Sequence, residues 1–222
     1  MRVLVACEES QAITKAFREL GVEAYSCDLL PCSGGHPEWH IQGDAIQQAY
    51  LGDWDLMIAH PPCTYLAVSG ARWLYNKDGT KNEERWRKQE DALDFVRALM
   101  DAPIEHIAIE NPVSVISSQI RKPDQIIHPW MFGDKASKST CLWLKNLNPI
   151  HPTDIVEKGE FKEWIDKNGN TKRQSMWYYN ALLEAKTPEE RRTLRSKTFP
   201  GMAKAIAEQF YNQINRYGES SL

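Results

Sequence analysis

Trp54-Asp55-Leu56-Met57-Ile58-Ala59-His60-Pro61-Pro62-Cys63 is the stretch on which the fold turns. Its apolar centre has the pattern of a short strand buried on both faces, as in a parallel sheet. Pro61 and Pro62 cannot donate to a sheet ladder, so the strand stops there and leaves Cys63 on a stiff loop. Open α/β sheets hold their ligands just past the carboxyl ends of parallel strands. Further along, Glu105-His106-Ile107-Ala108-Ile109 repeats the pattern and runs into Glu110-Asn111-Pro112. A thiol and a carboxyl at matching strand ends are placed to share one pocket.

Outward from these two strands the chain alternates strand and helix. Residues 2–6 form a β-branched apolar strand. Residues 10–20 follow with apolar positions at helical spacing, Ser10 as N-cap and Gly21 as the stop. A strand over residues 23–27 closes at Asp28, and residues 29–42, rich in Pro and Gly, read as loop. A charged amphipathic helix is predicted over residues 82–101, a helix near 113–120, and a strand over 139–144. Alternation of this kind predicts an α/β, Rossmann-like fold, a mostly parallel twisted sheet with helices on both faces. Between Asn146 and Arg195 apolar periodicity fades. There Lys167-Asn168-Gly169-Asn170 signals a hairpin, and Thr187-Pro188 an N-cap and first helical residue. Residues 146–194 are therefore expected to be a small insertion or subdomain. Residues 1–145 and 195–222 make the main body, closed by a helix from Thr198 through Ile214.

Composition narrows the class. A chain of 222 residues, 42% hydrophobic and 26% charged, is that of a globular protein with one sizeable core. A net charge of -3 gives no global signal for nucleic acid, so any DNA contact must use a local basic surface. Five scattered cysteines, Cys7, Cys27, Cys32, Cys63 and Cys141, fit reduced thiols better than a disulfide framework. With no apolar run long enough to cross a bilayer and no signal-like start, no membrane partner and a cytoplasmic location are expected. Oligomeric state is not legible.

A cysteine attacks as a thiolate, so Cys63 needs a lowered pKa or a neighbouring base. Glu110 can move or hold a proton on a substrate if its surroundings tune its pKa. The bland alternatives are a buried inert thiol and a solvated or helix-capping carboxylate.

Pro61-Pro62-Cys63 with Glu110-Asn111-Pro112 resembles the cytosine-C5 DNA methyltransferases, whose nucleophile lies in a Pro-Pro-Cys motif and whose glutamate lies in a Glu-Asn-Val motif. The resemblance extends to Asp28, placed like the residue that binds the ribose of S-adenosylmethionine. It includes Gly43-Asp44, placed like the pair that reads the adenine amino group. It also includes Thr198-Phe199-Pro200-Gly201-Met202-Ala203, like the motif that folds back onto the cofactor. The order agrees over residues 1–145 and 195–222, and the short, phage-type members are the most similar. If the gene is carried by a phage, the location becomes the host cytoplasm.

The resemblance implies that Cys63 and Glu110 are catalytic. It implies S-adenosylmethionine held by Glu8, Ser10, Gln11, Asp28, Asp44, Pro61 and Pro200, and a DNA substrate met by Lys138, Arg72 and Arg85. Two departures stand out. The family's glycine-rich first motif is replaced by Val5-Ala6-Cys7-Glu8-Glu9-Ser10-Gln11. Its arginine motif is reduced to Lys138 within Ala136-Ser137-Lys138-Ser139-Thr140. Glutamates beside a sulfonium and an ammonium are nonetheless favourable. The implied reaction adds the Cys63 thiolate to C6 of the pyrimidine while Glu110 stabilises charge at N3. C5 then takes the methyl, loses its proton, and Cys63 is eliminated; in a duplex the base must be flipped out.

Arg72, Lys77, Lys81, Arg85, Arg87 and Lys88, interleaved with Trp73, Tyr75 and Trp86, can hold a phosphate backbone. They can equally be the solvated face of a helix with its aromatics turned inward. Cys27, Cys32, His36 and His40 have a zinc-like spacing, but Pro31 and Pro37 lie within it and no metal is expected. Trp130, Trp143 and Trp177 are read as packing residues. Three functions follow: a DNA cytosine-C5 methyltransferase, an enzyme modifying a free pyrimidine nucleotide at C5, or an inactive methyltransferase fold that binds nucleic acid or protein.

Overall fold

The structure, a computed structural model, describes residues 1–219. The last three residues of the expected main body, 220–222, lie outside the described residues. Among the described residues seven strands form one sheet in the order β3-β2-β1-β4-β5-β7-β6. Its members are β1 (Arg2–Ala6), β2 (Glu23–Asp28), β3 (His40–Gln42), β4 (Leu56–Ala59), β5 (His106–Pro112), β6 (Gln125–Ile127) and β7 (Thr140–Lys145). The first five run parallel, and β7 runs antiparallel to both of its neighbours. This is the α/β, Rossmann-like sheet expected from the sequence. Its strand order reverses between β1 and β4, the switch point at which such sheets open a crevice.

Strand residues alternate between two cores, as a period of two requires. Val3 and Val5 point into one core with Ile13 and Phe17 of α1 (Ala12–Glu19) and Ile206 and Phe210 of α7 (Pro200–Glu219). Leu4 and Ala6 point into the other, with Ala45 and Ala49 of α2 (Ala45–Leu51) and Leu93, Val96 and Leu99 of α3 (Glu83–Met100). Helices thus cover both faces and leave the carboxyl ends of the parallel strands as the open edge.

Local structure corrects several expectations. Ser10 does not cap α1. The N-cap is Gln11, in the left-handed region at φ 59°, and its side chain makes no capping bond. The longer Glu8 side chain reaches the orphan amides instead, accepting from the N–H of Ile13 at 2.7 Å and of Thr14 at 3.2 Å, and from the Thr14 hydroxyl at 2.7 Å. The loop over 29–42 closes with the edge strand β3 after a 3-10 turn at Pro37–Trp39. Helix α2 follows Asp44, whose side chain accepts from the amides of Ile46 and Gln47. A short helix α4 (Ile116–Gln119) follows β5. Beyond the main sheet, β8 (Phe161–Ile165) and β9 (Thr171–Ser175) form a separate antiparallel hairpin. They precede α5 (Met176–Glu184) and α6 (Pro188–Ser196). Thr187 caps α6 with a full capping box through Glu190.

Candidate active site

The loops after β4 and β5 are joined along their length. Asn111 donates its side-chain amide to the Pro61 carbonyl at 2.7 Å. The Val68 amide donates to Val113, and the Val115 amide donates to Leu66. The amides of Leu66 and Ala67 close a turn on the Cys63 carbonyl. Arg85 on α3 braces this turn by donating to the Thr64 carbonyl at 2.9 Å, and its guanidinium covers the Tyr65 ring. Cys63 is exposed on the resulting platform.

Glu110 leads into this platform from β5. Register pairs Ala59 with Ile109, so the next residues, His60 and Glu110, stand side by side at the sheet's edge. Their Nδ1···Oε2 distance is 3.0 Å, with side chains only 13% and 16% exposed. A carboxylate can only accept, so Nδ1 carries the proton between them. Among the described residues the His60 Nε2 is buried without a partner.

Charge around the pair sets its titration. Burial pushes the Glu110 carboxyl up, but the hydrogen bond from His60 and the charges of Lys138 and His60 outweigh it, and its pKa is lowered. Burial pushes His60 down, yet its hydrogen bond to Glu110 and the charges of Glu110 and Glu8 win over the opposing Lys138, and its pKa is raised. Cys63 is exposed at the platform's surface, yet enough protein flanks its sulfur that desolvation raises the thiol. The Glu110 charge adds to this, while Lys138, a backbone N–H and Arg195 pull the other way. Glu110, Lys138 and Arg195 are therefore electrically linked to the thiol, and His60 is linked to Glu110.

Beside this cluster lies a cleft of about 230 Å³ at the switch point, lined by residues that include Cys7, Asp28, Gly43, Asp44, Pro62 and Tyr65. Asp28 and Asp44 each use Oδ1 for a local backbone amide, Leu30 and Ile46 respectively. Ala92 and Phe95 of α3 add an apolar wall. Cys7 is a neutral wall as well, its pKa driven up by burial and then by Asp28.

The structure thus brings Asp28, Asp44 and the Pro-Pro-Cys loop to one cleft, and Cys63, Glu110 and Lys138 to the cluster next to it. The other expected cofactor residues are not in the lining of this cleft. Both Glu8 oxygens cap α1. Gln11 is fully buried and ties the 32–36 loop, accepting from the His36 amide and Cys32 and donating to the His36 carbonyl and Ser26. Ser10 lies on the bend before α1, and Pro61 lends its carbonyl to Asn111. Pro200 opens α7, whose next amide, from Gly201, is capped by Asp134 at 3.0 Å.

Of the expected substrate residues, Arg72 stacks on the exposed Trp73 at 4.5 Å. Lys138 lies over the Trp177 ring at 5.7 Å. Trp86 faces inward and donates to the Leu74 carbonyl. The zinc-like residues are dispersed into separate bonds: Cys32 to Gln11, His36 to Glu38, and His40 to Ser26 and Leu30.

His60, Arg195 and Trp177 are the functional candidates that sequence patterns alone did not single out. Aligning the two strand ends, Ile58-Ala59-His60 over Ala108-Ile109-Glu110, carries the signal for His60. Arg195 stacks on Tyr178 at 3.7 Å, and no local pattern relates it to Cys63.

No protein-family model matches the chain, and no curated protein matches it. Among solved structures it is similar to a candidate DNA modification methyltransferase encoded within a prophage (E. coli), at 11% identity and a TM-score of 0.43. That match covers 71% of this chain and 52% of the other, so the chain spans about half of that protein's length.

Proposed function

We propose that the protein transfers a methyl group from S-adenosylmethionine to C5 of cytosine in DNA, through a covalent Cys63 adduct. One observation carries this reading: Pro62 lines the cleft of Asp28 and Asp44, while its neighbour Cys63 stands in the charged cluster with Glu110. Donor and acceptor would then meet across a single residue of a braced loop, the orientation that direct transfer requires.

The cleft's chemistry fits the donor. Two carboxylates suit ribose hydroxyls, an adenine amino group and a positively charged ligand, while Tyr65, Ala92 and Phe95 offer an apolar face for a purine. When bound, S-adenosylmethionine supplies an electrophilic methyl group. The remaining steps belong to this chain. Burial and the Glu110 charge keep the resting Cys63 a thiol, so it first loses its proton to solvent, a loss that Lys138 and Arg195 favour, and its sulfur then bonds to C6. Glu110 holds N3 as negative charge spreads through the ring and makes C5 nucleophilic. After C5 is methylated it gives up its proton to a base, the C6–S bond breaks, and the thiolate is restored. A cytosine in duplex DNA must leave the stack to reach this site. Arg72 and the exposed Trp73 and Tyr75, which follow Cys63 closely in sequence, suit a phosphate backbone.

A free pyrimidine nucleotide is the second reading, favoured by the two cations, Lys138 and Arg195, that act on the same thiol. S-adenosylmethionine with a tritiated methyl group, offered with duplex DNA, RNA and pyrimidine nucleotides, separates the readings. Label in DNA that is lost in Cys63→Ser is the expected result. Label only in nucleotides establishes the second reading. Transfer to no substrate would leave a binding protein on a methyltransferase fold.

A further inference from the structure

We propose that His60 is a proton store for Glu110, holding on its imidazole the proton that the carboxyl passes to N3 of the pyrimidine. The inference rests on the proposed function. Its ground is geometric: the register of β4 and β5 sets the two residues side by side, 3.0 Å apart and mostly shielded from water.

The need for a store follows from the chemistry. An ionised carboxylate has no proton to offer N3 and would repel the negative charge that Cys63 addition creates there. Glu110 is held ionised in the resting site, with its stabilising hydrogen bond coming from His60. The missing proton therefore has to come from a neighbour, and Nδ1 of His60 already points one at Oε2.

Once the Cys63 thiol has given up its own proton to solvent, the addition balances with a single further proton. As the Cys63 sulfur bonds to C6 and the C5–C6 electron pair moves toward N3, the proton passes from Nδ1 to the carboxyl and on to N3. His60 is left neutral with its remaining proton on Nε2, and Glu110, again a carboxylate, accepts from the new N3–H. When the C6–S bond breaks, the proton returns by the same path, and nothing is consumed.

The groups facing the pair act in both directions. Glu8, whose carboxylate caps α1, favours the charged imidazole, and Lys138 opposes it. Asn111, following Glu110, fixes the backbone by its bond to Pro61 rather than by titrating. Among the described residues Nε2 has no partner, which opposes the charged imidazole as Lys138 does, so it is Glu110 and Glu8 that hold the proton on His60. His60 acts through Glu110 and is a positioning residue rather than a group that touches the base.

Two measurements test this. NMR titration of the His60 imidazole in the wild type and in Glu110→Gln reads the coupling without reference to activity. The expected result is titration above 6.5 in the wild type and a fall in Glu110→Gln, where burial dominates; identical titration in the two overturns the proposal. The second is the pH profile of single-turnover methyl transfer by His60→Asn, which keeps an N–H near Nδ1 but cannot release a proton. The wild-type rate should fall as pH rises through the His60 titration, because the store empties. In His60→Asn that limb should leave its wild-type position and the maximal rate should drop at least tenfold. A wild-type profile in His60→Asn overturns the store alone. Absence of transfer by the wild type at every pH overturns the proposed function and the store with it.

Discussion

Glu110 shows how one neighbour can reverse what burial alone would do to a carboxyl. Desolvation pushes it toward the neutral acid, and the His60 hydrogen bond with the Lys138 charge brings it back below its ordinary value of 4.5. The pair should leave opposite marks on stability. His60, raised above 6.5, stabilises the fold fully below 6.5, and that contribution disappears as pH rises through its folded value. Glu110, lowered below 4.5, stabilises above 4.5, and its contribution disappears as pH falls through its folded value. Thermal unfolding should therefore show the gap between wild type and His60→Ala narrowing on the alkaline side. The gap between wild type and Glu110→Gln should narrow on the acid side. Cys63 and Glu110 were legible in the sequence because each lies where a short apolar run meets a proline, although β5 itself continues through Glu110 to Pro112. His60 needed the register between two strands, and Arg195 approaches Cys63 only through tertiary packing.

Elements hold these residues in place through a few close approaches. The start of α7 passes so near the Phe132 carbonyl that a Cβ on Gly201 would clash with it, and Asp134 caps the same amide. Gly201→Ala should cost about 1–3 kcal/mol by overpacking, read as a lower urea midpoint at unchanged slope. Long periodic elements such as α3 and α7, and the Asn-Gly hairpin of β8 and β9, were readable from sequence. The three-residue edge strands β3 and β6 were not, since alternation needs more positions to show. Helix α2 is a single short segment after Asp44. Helix α5 begins Met-Trp-Tyr-Tyr, with no polar face to mark a helical period. The antiparallel direction of β7 was hidden because a buried strand reads the same in either sense.

At the scale of the whole molecule, strand order places the chemistry. Reversal between β1 and β4 opens the cleft, the carboxyl end of β2 delivers Asp28 to it, and the loop after β4 supplies both its wall and the thiol. Asp28→Asn keeps the acceptor for the Leu30 amide and removes the charge. Calorimetric titration with S-adenosylmethionine should then show affinity weakened about tenfold or more, since hydrogen bonds to charged groups contribute about 1.5–3 kcal/mol. An unchanged affinity would remove Asp28 from the cofactor site. The covalent bond between Cys63 and the pyrimidine can be trapped with a duplex of randomised sequence carrying 5-fluorocytosine. Fluorine at C5 cannot leave as a proton does, so the methylated adduct cannot eliminate the thiol. With S-adenosylmethionine present, mass spectrometry should show a protein–DNA adduct, mapped to the peptide of Cys63 and absent in Cys63→Ser. Methyl transfer to ordinary cytosine with no trapped adduct, or an adduct that persists in Cys63→Ser, would contradict it.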